Sequence, residues 1–132
     1  MENTIIVDSD ITIDFFRKNP EIVKWFKENE NKFTFATTII NVFELYTGSY
    51  KSFNSEEKIK ELEDFLMTVK IFYLTLDCAK EAARLRTNLE KSGSIIDIRD
   101  LIIGSIAVTN NFPLKTNNKK HFSRIEGLKL VE

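Results

Sequence analysis

The chain of 132 residues holds one cysteine, Cys78, and one histidine, His121. A lone cysteine excludes an intramolecular disulfide, and with a lone histidine it cannot build a Cys/His zinc site. A small buried hydrophobe is the expected role for Cys78. The absence of disulfides points to a reducing, cytoplasmic home. No apolar run approaches the ~18 residues of a membrane span. Met1-Glu2-Asn3 carries no basic region of the kind that opens a secretory signal, so neither leader nor membrane contact is expected. Positive charge is not in excess: 19 Lys and Arg against 20 Asp and Glu leave a net charge of −1. That excludes a global basic field for long nucleic acid but not a local basic rim. No linker, repeat or low-complexity stretch interrupts the chain, so one domain over residues 1–132 is expected.

What is present is ordinary globular material, 42% apolar and 30% charged, with 11 Phe to make an aromatic core. Less ordinary are acidic side chains next to apolar runs at three separated places. Asp8 ends Ile5-Ile6-Val7. Glu44 follows Ile39-Ile40-Asn41-Val42-Phe43. Asp97 and Asp100 precede Leu101-Ile102-Ile103. A carboxylate in such company is costly to dehydrate unless something compensates it. Acids converging at the rim of a sheet, with a divalent cation to offset their repulsion, would meet that need. Phosphodiester chemistry is the activity such a centre suggests.

The chain alternates strands and helices. Thr4 to Val7, Phe33 to Ala36, Ile71 to Leu74 and Pro113 to Lys115 read as strands, with Leu128 to Leu130 as a possible fifth. Helices are expected over Ile11 to Arg17, from Pro20, from Thr37 or Thr38 to an end at Gly48, from Ser55, from an Asp77 cap to Ser92-Gly93, and over Ile98 to Val108. This is an α/β pattern: a single-domain parallel sheet of about four to five strands flanked by helices. Sites in such sheets form beyond the carboxyl ends of the strands, where Asp8 and Thr116 are placed.

Each candidate also has a plainer role. Asp10 is expected to cap the first helix, while Asp8 suits a hard cation. Glu44 can be an ordinary polar face of an amphipathic helix. Asp97 and Asp100, three apart, share a helix face and can approach one ion, yet both also suit a helix N-terminus. Thr116, Asn117 and Asn118 supply neutral donors, and Asn117 reads as a turn residue. His121 suits a general base near neutral pH or a packed surface histidine.

Taken in order, these motifs resemble the PIN-domain ribonucleases, in particular the VapC-type toxins of toxin–antitoxin pairs. Ile5-Ile6-Val7-Asp8-Ser9-Asp10-Ile11 is similar to the opening strand, first Asp and helix of that family. Val42-Phe43-Glu44-Leu45-Tyr46-Thr47-Gly48 resembles the second acid and its helix. Arg99-Asp100-Leu101-Ile102-Ile103-Gly104-Ser105-Ile106-Ala107 resembles the third Asp and its aliphatic helix. Thr116 to Leu128 resembles the closing Thr-x-Asn segment. Many members carry a further acid near Phe122, where this chain has Asn118 or His121; Asp97 is an additional acid near the third motif.

The resemblance implies a PIN-like fold and metal-dependent hydrolysis of RNA. Asp8, Glu44, Asp97 and Asp100 would hold Mg²⁺ or Mn²⁺, with Thr116 and Asn118 positioning water or phosphate. Lys115, Lys119, Lys120 and Arg124 would face flanking phosphates. It also implies a cognate protein antitoxin and a homodimer. Two other readings stand beside it. One is a non-catalytic PIN-like module for interaction or RNA binding. The other is a haloacid-dehalogenase-type phosphatase, because Asp8-Ser9-Asp10-Ile11-Thr12 fits its D-x-D-x-T motif, with Asp8 as nucleophile and Asp10 as acid/base.

Overall fold

The computed structural model describes residues 3–132. In chain order the elements are β1 (Thr4–Val7), α1 (Ser9–Phe16), α2 (Pro20–Asn29), β2 (Thr34–Thr38), α3 (Ile39–Lys51), α4 (Ser55–Leu66), β3 (Lys70–Phe72), α5 (Leu76–Lys91), α6 (Ile98–Asn110), β4 (Leu114–Lys115) and α7 (Lys119–Phe122). The strands form one sheet in the order β3-β2-β1-β4. All pairings are parallel, with Ile5 opposite Phe35, Ile6 opposite Leu114 and Thr37 opposite Ile71. Leu128 to Leu130 makes only an isolated parallel bridge, Leu130 to Leu114, so among the described residues the sheet has four strands and the possible fifth does not form.

β1 is buried along its whole length because helices cover both faces of the sheet, as a parallel sheet requires. Alternate side chains serve two cores. Ile6 packs with Leu85, Leu89, Leu101, Ile103, Ile106, Leu114 and Phe122 beneath α5 and α6. Ile5 and Val7 point the other way, to Ile11, Ile22, Phe15, Trp25, Phe26 and Phe35. Phe26 meets Phe15 and Phe35 edge-on, each at 4.9 Å between centroids. Gly104 lets α6 approach the closing segment, since a Cβ there would collide with Ile125 Cδ1. Cys78 is buried in the α5 side of the core, as expected.

Several boundaries differ from the sequence reading. α3 passes through Gly48 to Lys51, because a Cβ at Gly48 would meet nothing within 4 Å and the helix continues without a tight turn. Thr75, not Asp77, caps α5, its hydroxyl accepting from the Cys78 N–H. β3 lies slightly earlier than expected, because its partner residues on β2 stop at Thr38, where the chain turns into α3. Thr38 rather than Thr37 caps α3. Pro20 opens α2 beneath an Asn19 cap, as its fixed φ predicts.

Candidate active site

Asp8 is the last turn of β1 into α1, and it is 7% exposed. It is itself the N-cap of α1; Asp10, expected there, lies in the first turn instead. A carboxylate so deep needs donors, and both its oxygens have them. Oδ1 accepts from the Ser9 N–H at 2.8 Å and from Asn41 Nδ2 at 2.9 Å. Oδ2 accepts from the Thr116 hydroxyl at 2.7 Å. Asn118 donates its backbone N–H to Thr116 Oγ1 at 3.0 Å, which directs the threonine proton toward Asp8.

Asn41 is wholly buried and joins two acids. It forms a reciprocal box with Thr38 at the start of α3, where its Oδ1 accepts from the Thr38 hydroxyl at 2.8 Å. Its amide nitrogen is thereby aimed at Asp8 and at Ser9 Oγ, the latter at 2.9 Å. Ser9 in turn donates to Glu44 Oε1 at 2.8 Å. Glu44 is thus tied to the start of α1 although it stands on another helix. Neither Ser9 nor Asn41 was singled out in the sequence for this role. The only local signal was the Thr38-x-x-Asn41 spacing of a helix start.

On α6, Asp97 is the N-cap and accepts from the Arg99 N–H at 2.8 Å. The Arg99 guanidinium folds back onto the same carboxylate, Nε to Oδ1 at 3.1 Å and Nη2 to Oδ2 at 3.3 Å. Its Nη1 lies 3.9 Å from Glu44 Oε2. Asp100, with its side chain 19% exposed, faces His121 Nδ1 at 3.8 Å, and that ring nitrogen also meets Asn118 Nδ2 at 3.1 Å. Asn117 is more than a turn residue: its N–H donates to Asp10 Oδ2 and its Nδ2 to Asp14 Oδ2, both at 3.0 Å.

The acids repel one another. Burial raises the Asp100 carboxyl above its ordinary range, and Asp8 and Asp97 raise it further against the opposing pull of His121 and Arg99. Burial likewise raises Glu44, opposed by the Ser9 hydrogen bond and helped by Asp8. Asp10 is pushed up to about 6 by burial and then by Asp8, in spite of the Asn117 N–H. Its Oδ1 is buried without a partner among the described residues. Asp97 goes the other way, held low by its hydrogen bonds to Arg99.

Hard divalent ions such as Mg²⁺ favour carboxylate oxygens. The Asp8, Glu44 and Asp100 carboxylates stand within electrostatic reach of one another. Among the described residues no group of three or more His, Cys, Asp or Glu side chains is gathered closely enough to hold a metal ion.

Comparison with known proteins decides the family. The family model described as PIN domain matches residues 5–128. The chain belongs to the PIN domain family. Its relatives within that family include Ribonuclease VapC2 of Rickettsia felis, 39% identical over 72% of this chain and 71% of that protein. Ribonuclease VapC1 of Methanocaldococcus jannaschii is 32% identical over 99% of this chain and 89% of its own length. Among solved structures, the Rickettsia felis VapBC2 complex bound to a promoter DNA fragment superposes with a TM-score of 0.90. The matched chain there is 32% identical, and 97% of each chain is covered. A PIN-domain chain with α1 directly after Asp8, and Asp10 already inside that helix, leaves no flap hairpin, so the phosphatase reading of Asp8 and Asp10 falls. No helix among the described residues is long and apolar enough to cross a membrane.

Proposed function

We propose that this PIN-domain chain is a divalent-metal-dependent endoribonuclease, the toxin of a VapBC-type pair. The observation that carries this reading is Asp8: buried, donated to on both oxygens, and electrostatically coupled to Glu44 and Asp100 from two other elements. Such investment in an acid is what a metal-holding centre needs. Named ribonuclease relatives support the reaction class.

Asp8, Glu44 and Asp100 would hold Mg²⁺ or Mn²⁺. When bound, such an ion supplies charge neutralisation at the phosphate and a more acidic water. The chain's own residues do the rest. Thr116 and Asn41 hold the Asp8 carboxylate in one orientation, and Ser9 does the same for Glu44. His121, 3.8 Å from Asp100, and Asn118, at hydrogen-bond distance from the His121 ring, would donate to a water or a phosphate oxygen. Asp97, the fourth acid of the sequence reading, has its carboxylate committed to Arg99 and is left out of this ligand set.

The cytoplasm is the compartment this reading implies. A protein antitoxin is the partner it implies, as in the toxin–antitoxin structure above. A broad apolar groove of about 930 Å³ runs along α1, α2 and α4, floored by Phe15, Phe16 and Val23 and rimmed by Lys24, Lys27 and Glu61. It suits an amphipathic segment of such a partner. Exposed Phe43 and Tyr50 on α3 supply apolar surface for a homodimer.

The deciding experiment is cleavage of total cellular RNA by purified protein with Mn²⁺, with Mg²⁺ and with EDTA, beside Asp100→Asn. Discrete fragments that require metal and Asp100 are expected. Intact RNA under every condition, from a sample whose gel shows no co-purified partner, would move the assignment to a non-catalytic PIN-like module.

A further inference from the structure

Arg99 stands between the acids of the cluster, and its charge is only partly spent on them. Its side chain is 55% exposed, while Glu44, which it approaches, is 24% exposed. The fork is half used. Nε and Nη2 grip Asp97, and Nη1 makes no hydrogen bond among the described residues, standing 3.9 Å from Glu44. A guanidinium held on one edge and open on the other is a preorganised receptor for a planar or tetrahedral oxyanion. Asp97 thereby has a use that does not involve metal: as N-cap it is fixed by the start of α6, and it fixes the guanidinium in turn.

The need for such a cation is set by the acids. Asp8, Glu44 and Asp100 would repel the phosphates of any nucleic acid strand. Among the described residues, the basic groups nearest Glu44 and Asp100 are Arg99 and His121. His121 already shares its Nδ1 between Asn118 and Asp100. Arg99 has donors left over.

We propose that Arg99, tethered by Asp97, binds a backbone phosphate of the RNA strand beside the carboxylates, and that Asp97 serves as its positioning residue rather than as a metal ligand. This rests on the nuclease reading above and assigns the substrate contact at that site.

The test uses the full chain and a fluorescent single-stranded oligoribonucleotide. Binding is followed against salt in EDTA, where no turnover is expected, and cleavage is followed in Mn²⁺. Losing one phosphate contact should flatten the slope of log K against log salt by about 0.7 in Arg99→Gln. KM should rise roughly tenfold or more, the worth of one charge-assisted contact, with kcat falling far less. Arg99→Lys, a point charge without the fork, should fall between. Asp97→Asn keeps a good helix cap; it should raise KM yet leave the Mn²⁺-induced rise in melting temperature intact. An unchanged salt slope in Arg99→Gln overturns the proposal. So does an Asp97→Asn protein that no longer responds to Mn²⁺, and so does a wild type that binds no RNA. A wild type that binds but never cleaves defeats the nuclease reading alone, because the salt slopes still report on Arg99.

Discussion

Thr116 lies 108 residues from Asp8 in sequence and donates its hydroxyl to the Asp8 carboxylate at 2.7 Å. Both residues end parallel strands that pair in register, so the sheet itself sets this distance. Thr116→Val keeps the volume and removes the donor. It should destabilise the protein by about 1–3 kcal/mol, the range for a buried acceptor left unsatisfied. RNA cleavage should fall as well, and Thr116→Ser should restore both. Thermal melts and cleavage assays on the pair of variants check this; equal behaviour of Val and Ser would show the bond to be idle.

Asn41 is the second support, and its chemistry can be inverted. Asn41→Asp replaces a donor to Asp8 and Ser9 with a further carboxylate among acids that already repel. The variant should melt well below wild type at pH 7 and recover as pH falls and the acids protonate. Asn41→Ala removes the donor without adding charge, so its deficit should depend less on pH. Melting curves of both variants across pH distinguish the two effects.

A divalent ion should stabilise the folded chain by mass action, because the unfolded chain has no gathered carboxylates to offer it. Mn²⁺ in millimolar excess should raise the melting temperature of wild type. Asp8→Asn and Asp100→Asn should abolish both that rise and RNA cleavage. A full Mn²⁺ response in Asp100→Asn would remove Asp100 from the ligand set.

The acid shifts give a pH dependence with a definite sign. Asp10 has a folded value raised to about 6 from an ordinary 3.8. Between those values the folded chain holds a proton that the unfolded chain has lost, so stability falls as pH rises through that window. Glu44 and Asp100, also raised, add to the same trend. Metal-free protein should therefore lose stability from about pH 4 to about pH 6. Asp10→Asn should flatten this slope and melt higher at pH 7, and it should still cleave RNA, which a phosphatase built on Asp10 could not match.

Thr75 offers a check on local structure away from the site. Thr75→Ala should cost about 1 kcal/mol as a lost helix cap, while Asp77→Asn should alter stability by a few tenths, since it leaves only a first-turn charge. Urea unfolding of the two variants decides between them.

The sequence carried some of these facts better than others, for physical reasons. Asp8 was legible because an uninterrupted apolar strand ended on it, and Asp97 because an N-cap preceding an aliphatic helix has a local pattern. Pro20 announced α2 through its own covalent geometry. Gly48 misled, because a glycine on an open helix face ends nothing when no left-handed turn is required there. Thr75 and Asp77 are both competent caps in sequence, and in the fold it is the Thr75 hydroxyl that accepts the Cys78 N–H. Ser9 and Asn41 had no periodic signature for a contact made across more than thirty residues. Arg99 sat in plain view between two acids, but only the fold shows which of its donors are spent.

The strand order has one more consequence, in the timing of synthesis. β4 is the last strand made and it lies beside the first, on β1. Until it docks, Asp8 lacks the Thr116 hydroxyl and Asp100 lacks His121 as a neighbour. Contacts of such long sequence separation form late and slowly. A ribosome translating this chain therefore faces an unfinished centre until the segment that carries Thr116 and His121 has emerged, and the protein's own topology delays the moment at which the centre is complete.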